Sequence, residues 1–180
     1  MKLSVGAKAH DFDYSTAWSS GLRFYDQLEG RQNILLFLRY YGCTVCQLQI
    51  AKLIEGYGQF IENNVKVFVV LQSPPETIRE QVNQEDIPFT IICDPLQSLY
   101  RLYDVGAAGS KEELGSPALM EKLEEIRIRG IQHGKYEGNE MQLPAAFIIN
   151  EGGVIQYVHY GTDAGDVPSV EQLIALTRQI

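Results

Sequence analysis

The sequence predicts an α/β fold, a central mixed sheet flanked by helices, and three observations carry that prediction. Strand-like runs alternate with helical periods along most of the chain, residues 33–39 form an almost wholly apolar run, and a helical period starts directly after it. A strand that is apolar on both faces belongs in the middle of a sheet.

Each element follows in order. In the first 30 residues, segments 11–14 and 21–24 lie on either side of a Ser-rich turn, which predicts an extra hairpin ahead of the main sheet. After the strand at 33–39, the residues Cys46, Ile50, Leu53, Tyr57 and Phe60 repeat at helical spacing from a start at Cys43, so that stripe should face the core. Gly56 and Gly58 weaken the far end of this helix and predict a kink or a close backbone contact there. Residues 65–71 read as the next buried strand, Pro74 and Pro75 open a short helix over 76–83, and residues 89–93 form a third strand. Pro95 should start a helix that runs to about Tyr103.

From 106 to 141 the pattern turns Gly-rich and charged, and this segment reads as a helical insertion. Its one helix is capped by Ser116, has Pro117 in its first turn and ends at Gly130, and Leu119, Leu123 and Ile126 form its docking stripe. Residues 145–149 and 154–160 then flank the turn Asn150-Glu151-Gly152-Gly153, a hairpin signal. Val170, Leu173, Ile174 and Leu176 give the closing helix its apolar face.

At 180 residues the chain fits one domain spanning 1–180, with an N-terminal extension (1–30) and the insertion (106–141). A chain of that length buries about 70% of its unfolded surface, so three cysteines are not needed as a scaffold. The longest apolar runs, 34–38 and 67–71, are far short of the roughly 20 residues that span a bilayer, and no apolar stretch follows the N-terminal lysines as a secretory signal requires. Fifteen basic against 23 acidic residues give a net charge of −8 with no basic run, which argues against nucleic acid. The expectation is a cytoplasmic protein that binds neither membrane nor nucleic acid.

The informative motif is Tyr41-Gly42-Cys43-Thr44-Val45-Cys46, a C-x-x-C placed where the central strand hands over to a helix N-terminus. Residues i and i+3 in a first helical turn lie about 5–6 Å apart, within reach of a disulfide, so the pair can open and close with little backbone strain. The helix N-terminus favours a thiolate at Cys43. Cys43 should be exposed at the helix start and act as the attacking thiol. Cys46, on the apolar stripe, should resolve the mixed disulfide. Two other readings use the same pair. A structural zinc site needs four ligands, and beyond the pair the chain offers only Cys93 and three scattered histidines; two inert core cysteines are the other.

At these residues the chain resembles the thioredoxin-fold superfamily, and within it the peroxiredoxin-like AhpC/TSA (alkyl hydroperoxide reductase and thiol-specific antioxidant) family. The resemblance runs over about 5–161: V-G-A-K-A-H-D-F, then F-L-R-Y-Y-G-C-T-V-C-Q, then I-P-F-T-I-I-C-D-P with L-Y-R-L-Y-D-V, and P-A-A-F-I-I-N-E-G-G-V-I-Q-Y. It implies a thioredoxin fold whose last hairpin is antiparallel to the rest.

It also implies an antioxidant oxidoreductase with a redox-active centre, a disulfide or hydroperoxide as substrate, a reducing partner such as thioredoxin, and no metal or organic cofactor. The family pattern P-x-x-x-[TS]-x-x-C, aligned on Cys46, puts Cys43 where the hydroxyl residue belongs and Arg39 where the proline belongs, which weakens the peroxide pocket. Pro144 stands where thioredoxins carry a cis proline against the redox pair, and that favours dithiol exchange. The same likeness puts Tyr40 and Tyr41 in the place of the thioredoxin tryptophan, as walls of the site.

Arg39 ends the central strand beside the cysteine helix, where it can stabilise a thiolate or form a rim ion pair. Cys93 is a candidate third thiol, with plain core as its other reading, and His133 reads as a solvated loop histidine. Asp11 and Tyr103 have no chemical case beyond packing and solvation. The resulting expectation is a thiol-disulfide oxidoreductase using a reversible Cys43–Cys46 pair. The alternatives are a peroxiredoxin-like thiol peroxidase with Cys46 or Cys43 as its reactive cysteine, and a non-enzymatic redox-sensing or docking module.

Overall fold

The computed structural model describes residues 1–180. Its main sheet contains β3 (Gln32–Phe37), β4 (Val65–Leu71), β5 (Thr90–Cys93), β6 (Ala145–Ile149) and β7 (Ile155–Tyr160), in the order β5-β4-β3-β6-β7. β3, β4 and β5 are parallel, while β6 runs antiparallel to β3 and β7 antiparallel to β6. The apolar run read as central is the middle strand. The expected N-terminal hairpin is the pair β1 (Asp13–Tyr14) and β2 (Leu22–Arg23).

Strand alternation divides the core in two. Ile34, Leu36 and Leu38 point, with Val67, Val69 and Leu71, to one face, which is covered by α1 (Thr44–Glu62) and α5 (Val170–Gln179). Leu35 and Phe37 point, with Phe68 and Val70, to the other, against Phe12, Phe24 and residues Leu99, Tyr100 and Tyr103 around α3 (Ser98–Leu102). Tyr100 reaches through that second layer. Its hydroxyl donates to the carbonyls of Leu38 (2.7 Å) and Val70 (3.1 Å), tying the outgoing ends of β3 and β4 together.

Gly56 makes a close contact, with α5 rather than with a kink: a Cβ there would lie 2.6 Å from Val170 Cγ1. The helix after Pro95 starts later than expected. Asp94 accepts the N–H groups of Ser98 (2.9 Å) and Leu99 (2.8 Å), and Gln97 turns left-handed at φ 56°, so residues 95–97 form a turn and α3 begins at Ser98. The short helix α2 (Pro75–Gln81) has Pro74 as its N-cap and Pro75 as its first residue, and it ends before the expected Asn83 because Val82 is extended.

The helix of the 106–141 segment, α4 (Pro117–Arg129), has its Ser116 cap and its Gly130 end as expected. Its stripe is narrower than read: Ile126 is buried, Leu119 is half-buried and Leu123 is exposed. Ion pairs to α1 supply the rest of the docking, Lys52 with Glu125 (2.8 Å) and Arg129 with Glu55 (2.7 Å). On α5 the buried position after Ile174 is Thr177, whose hydroxyl bonds back to the Ile174 carbonyl, and Leu176 is half-buried. No helix is long and apolar enough to cross a membrane.

Candidate active site

The carboxyl end of β3 and the incoming end of β6 meet at one edge of the sheet, since Phe37 pairs with Ala145 across the antiparallel ladder. Chain direction alone therefore brings Cys43, at the end of the loop after β3, and Cys46, in the first turn of α1, next to Pro144. Between the sulfurs and that proline lies a cavity of about 10 Å³, lined by Arg39, Cys43, Cys46, Gln142, Pro144 and Val167 among others. That is room for about one water molecule.

Both sulfurs are buried, Cys43 at 2% exposure and Cys46 at 5%, so the expected exposure of Cys43 is corrected. The reason is the covering of the loop: Gly42 is pressed against residues 134 and 135, where a Cβ would overlap the Lys135 backbone and come 2.7 Å from its nitrogen. Electrostatics distinguishes the two thiols instead. Cys43 is the N-cap of α1. Its pKa is lowered to about 6, first by the hydrogen bond from the Cys46 thiol and then, against the opposing effect of burial, by the Arg39 charge. Cys46 is pushed the other way, by burial first and by its neighbour Cys43.

Arg39 is the organiser. Its Nη2 donates to Cys43 Sγ at 3.2 Å and its backbone N–H donates to Cys46 Sγ at 3.3 Å. The other arm, Nη1, donates to the Glu140 carbonyl at 2.6 Å and lies 3.8 Å from the Glu140 carboxylate. Its own carbonyl accepts from the Gln72 backbone N–H (2.9 Å) and from Gln72 Nε2 (3.1 Å). The rim ion pair and the thiolate contact, read as alternatives, coexist in one side chain.

The Leu143–Pro144 bond is trans, as is every peptide bond of the chain, which corrects the cis expectation and removes the support that a cis proline lent to dithiol exchange. Trans is the lower-energy isomer of an X–Pro bond by about 0.5–1 kcal/mol, and the surroundings suit it. Leu143 N–H donates to Gly106 and the Pro144 carbonyl accepts from Gly161 at 2.8 Å, so the proline enters β6 as an extended residue. Its ring still lines the cavity of the sulfurs.

The remaining candidates separate. Tyr40 is fully buried, and its hydroxyl lies 3.0 Å from His133 Nε2. His133 Nδ1 lies 2.8 Å from the Gly134 carbonyl, which can only accept, so Nδ1 carries a proton. His133 also stacks on Tyr136 at 3.9 Å between ring centres, so it is exposed but tied down. Tyr41 does not line the cavity; its N–H donates to Ser73 Oγ at 2.9 Å. Cys93 lies two strands away on β5, beside Asp13 and Tyr14 in a different depression, with its thiol pushed by burial up to about 12. The structure does not bring it to the pair. Asp11 binds Arg23 and the Tyr25 N–H, and Tyr103 bonds the His10 carbonyl, both in structural roles.

Comparison with known proteins gives this site a family. The model of the AhpC/TSA family matches residues 5–158. The chain belongs to the AhpC/TSA family. As a member it is an oxidoreductase working through thiols.

Solved structures agree on a thioredoxin fold. AhpC from Enterococcus faecalis covers 99% of this AhpC/TSA chain and 92% of its own length, at 18% identity and TM-score 0.69. The reduced 2-Cys peroxiredoxin of Plasmodium vivax covers 97% and 80%, at 17% identity and TM-score 0.69. A putative thiol:disulfide interchange protein DsbE from Chlorobium tepidum covers 98% and 99%, at 19% identity and TM-score 0.61. No curated protein matches the chain by sequence.

Sequence reasoning missed the residues between α4 and β6 that surround this family's site. Glu140 holds Arg39, and Gln142, at 5% exposure, spends its amide on the carbonyls of Val105, Gly106 and Leu143. Nothing in their spacing marks them. The available signal was proximity to Pro144, which the likeness had already put at the site.

Proposed function

We propose that the protein is a thiol-disulfide oxidoreductase cycling between a Cys43–Cys46 dithiol and its disulfide. The observation that carries the reading is the Cys43 sulfur held between the Arg39 guanidinium and the Cys46 thiol. The Cys43 thiolate attacks one sulfur of a substrate disulfide, forms Cys43–S–S–R and expels R′–S⁻, which takes up a proton. Cys46 then gives up its proton, attacks the Cys43 sulfur and releases R–S⁻, leaving the Cys43–Cys46 disulfide. The two electrons are restored by an external dithiol such as thioredoxin. This cycle suits a reducing compartment such as the cytoplasm.

A second reading, a thiol peroxidase, is favoured by the water-sized cavity at the sulfurs. There the thiolate attacks the hydroperoxide ROOH, a proton is taken up, ROH leaves and a sulfenic acid forms. The partner thiol condenses with it, forming the disulfide and releasing water. The P. vivax neighbour's name carries this activity and the C. tepidum neighbour's name carries the first.

The test is to follow insulin reduction and hydrogen peroxide consumption side by side, with thioredoxin and its reductase as donor. Cys46→Ser should accumulate a mixed disulfide on Cys43 and Cys43→Ser should accumulate none. A Cys43→Ser protein that consumes peroxide rapidly and carries a sulfenic acid at Cys46 would reverse the roles and select the peroxidase.

A further inference from the structure

The segment from 131 to 141 crosses the redox loop and is fastened to it and to residues 72–80 beside it; the Gln132 carbonyl accepts from Gln47 Nε2 at 2.9 Å and Lys135 pairs with Glu80. Gly134 N–H donates to the Gly42 carbonyl at 2.8 Å, directly before Cys43. Glu137 accepts from the hydroxyls of Ser73 (2.8 Å) and Thr77 (2.5 Å), and the same Ser73 Oγ receives the N–H of Tyr41. Asn139 N–H donates to Gln72 Oε1 at 2.7 Å, and Glu140 receives Arg39. Glycine makes the approach close: a Cβ on Gly134 would lie 3.0 Å from Gly42 Cα, and Gly138 sits at φ +71° against Gln72.

The apolar anchoring of this segment is confined to Ile131, which packs on the core, and to the rings of His133 and Tyr136 beside Tyr40; its other contacts are polar. Residues 132–136 are exposed, Tyr136 at 72%, and Ile131 is half-buried. A segment held largely by polar contacts between two fixed ends, Gly130 at the end of α4 and the buried Gln142, opens at lower cost than the strands around it. A disulfide in a macromolecule must bring its backbone against the surface that flanks Cys43. That surface is occupied on one side by residues 134, 135 and 140 and on the other by Pro144 and Val167.

We infer that residues 131–141 form a strap that sets the size of the reagent reaching Cys43, and that Glu137 is its fastening. Seated, the strap covers the Gly42 side of Cys43, and the space left at the sulfurs holds about one water molecule; lifted, it admits a peptide-borne disulfide. The inference rests on Cys43 as the reactive sulfur, and it adds a specificity device to the proposed chemistry. Glu137 touches neither sulfur, so it acts on access and not on the attacking thiolate.

The experiment compares loss of the Cys43 thiol to stoichiometric hydrogen peroxide and to fluorescein maleimide at pH 7.5, read by mass spectrometry. Glu137→Ala should raise the maleimide rate about tenfold and change the peroxide rate less than twofold; Thr77→Val, which removes one of the two hydroxyls, should give an intermediate rise. Circular dichroism and the melting temperature establish that each variant is folded, and Thr77→Val decides if Glu137→Ala is not. Equal changes in both rates, or no change in either, overturn the strap. Neither reaction needs turnover, so a size-dependent rate in a protein that turns over neither insulin nor peroxide would sink the proposed function and leave the strap standing.

Discussion

Arg39 Nη2 stands 3.2 Å from the sulfur of Cys43, across the turn that joins the central strand to its helix. A permanent cation at that distance, with the Cys46 thiol as a second donor, favours the thiolate.

The pH dependence follows from Cys43 lowered to about 6. Alkylation of Cys43 should be half-maximal near pH 6 and level above about pH 7.5, whereas the denatured chain should titrate near the free value of about 8.5. Arg39→Ala should move the native midpoint upward and Arg39→Lys should restore part of the shift. Because the folded pKa lies below the unfolded one, ionised Cys43 contributes stability above pH ~8.5, and that contribution is lost as pH falls towards 6. A parent midpoint near the free value would end the case for an activated thiol.

Cys93 should behave as the opposite kind of cysteine. With its thiol pushed up to about 12 by burial, it should stay unmodified by iodoacetamide at pH 7.5 while Cys43 is consumed. Cys93→Ala should leave insulin reduction and peroxide consumption within twofold of the parent. A disulfide joining Cys93 to either member of the pair, found by peptide mapping of the oxidised protein, would overturn its exclusion.

Two glycines of α1 should respond in opposite directions. Gly56→Ala puts a methyl group 2.6 Å from Val170 Cγ1 and should cost about 1–3 kcal/mol. Gly58→Ala meets nothing within 4 Å and should stabilise the helix by about 0.5–1 kcal/mol. Urea unfolding of both variants measures the contrast, and effects of the same sign would refute the α1–α5 contact.

Tyr100→Phe removes a buried hydroxyl that serves two carbonyls and should destabilise the protein by about 1–3 kcal/mol. For a domain of this size each kcal/mol lowers the melting temperature by about 2–4 °C. An unchanged melting temperature would mean that water replaces the hydroxyl.

The layout of the sheet was legible because its strands are written as periodic apolar runs, and β4 and β6 begin and end where that reading put them. The start of α3 was not, because the Asp94 side chain competes with Pro95 for the helix start and that contest is decided by local hydrogen bonds. The cysteine pair was legible from its spacing and position. Its burial and the Arg39 contact with Glu140 were not, since both depend on chain a hundred residues away that carries no periodic signal. The proline isomer was read by likeness alone, and the hydrogen bonds of Leu143 and Pro144 to Gly106 and Gly161 accompany the trans form.

The antiparallel placement of β6 beside β3 has a consequence for how such a molecule can diversify. The connection from β5 to β6 must begin and end on the rim where the sulfurs sit, so any residues added to it are delivered to the site while the ladder between Phe37 and Ala145 keeps its register. The sheet then acts as a fixed socket and that one connection as an exchangeable fitting. Grafting, shortening or lengthening it would alter what the dithiol meets without rewriting the core.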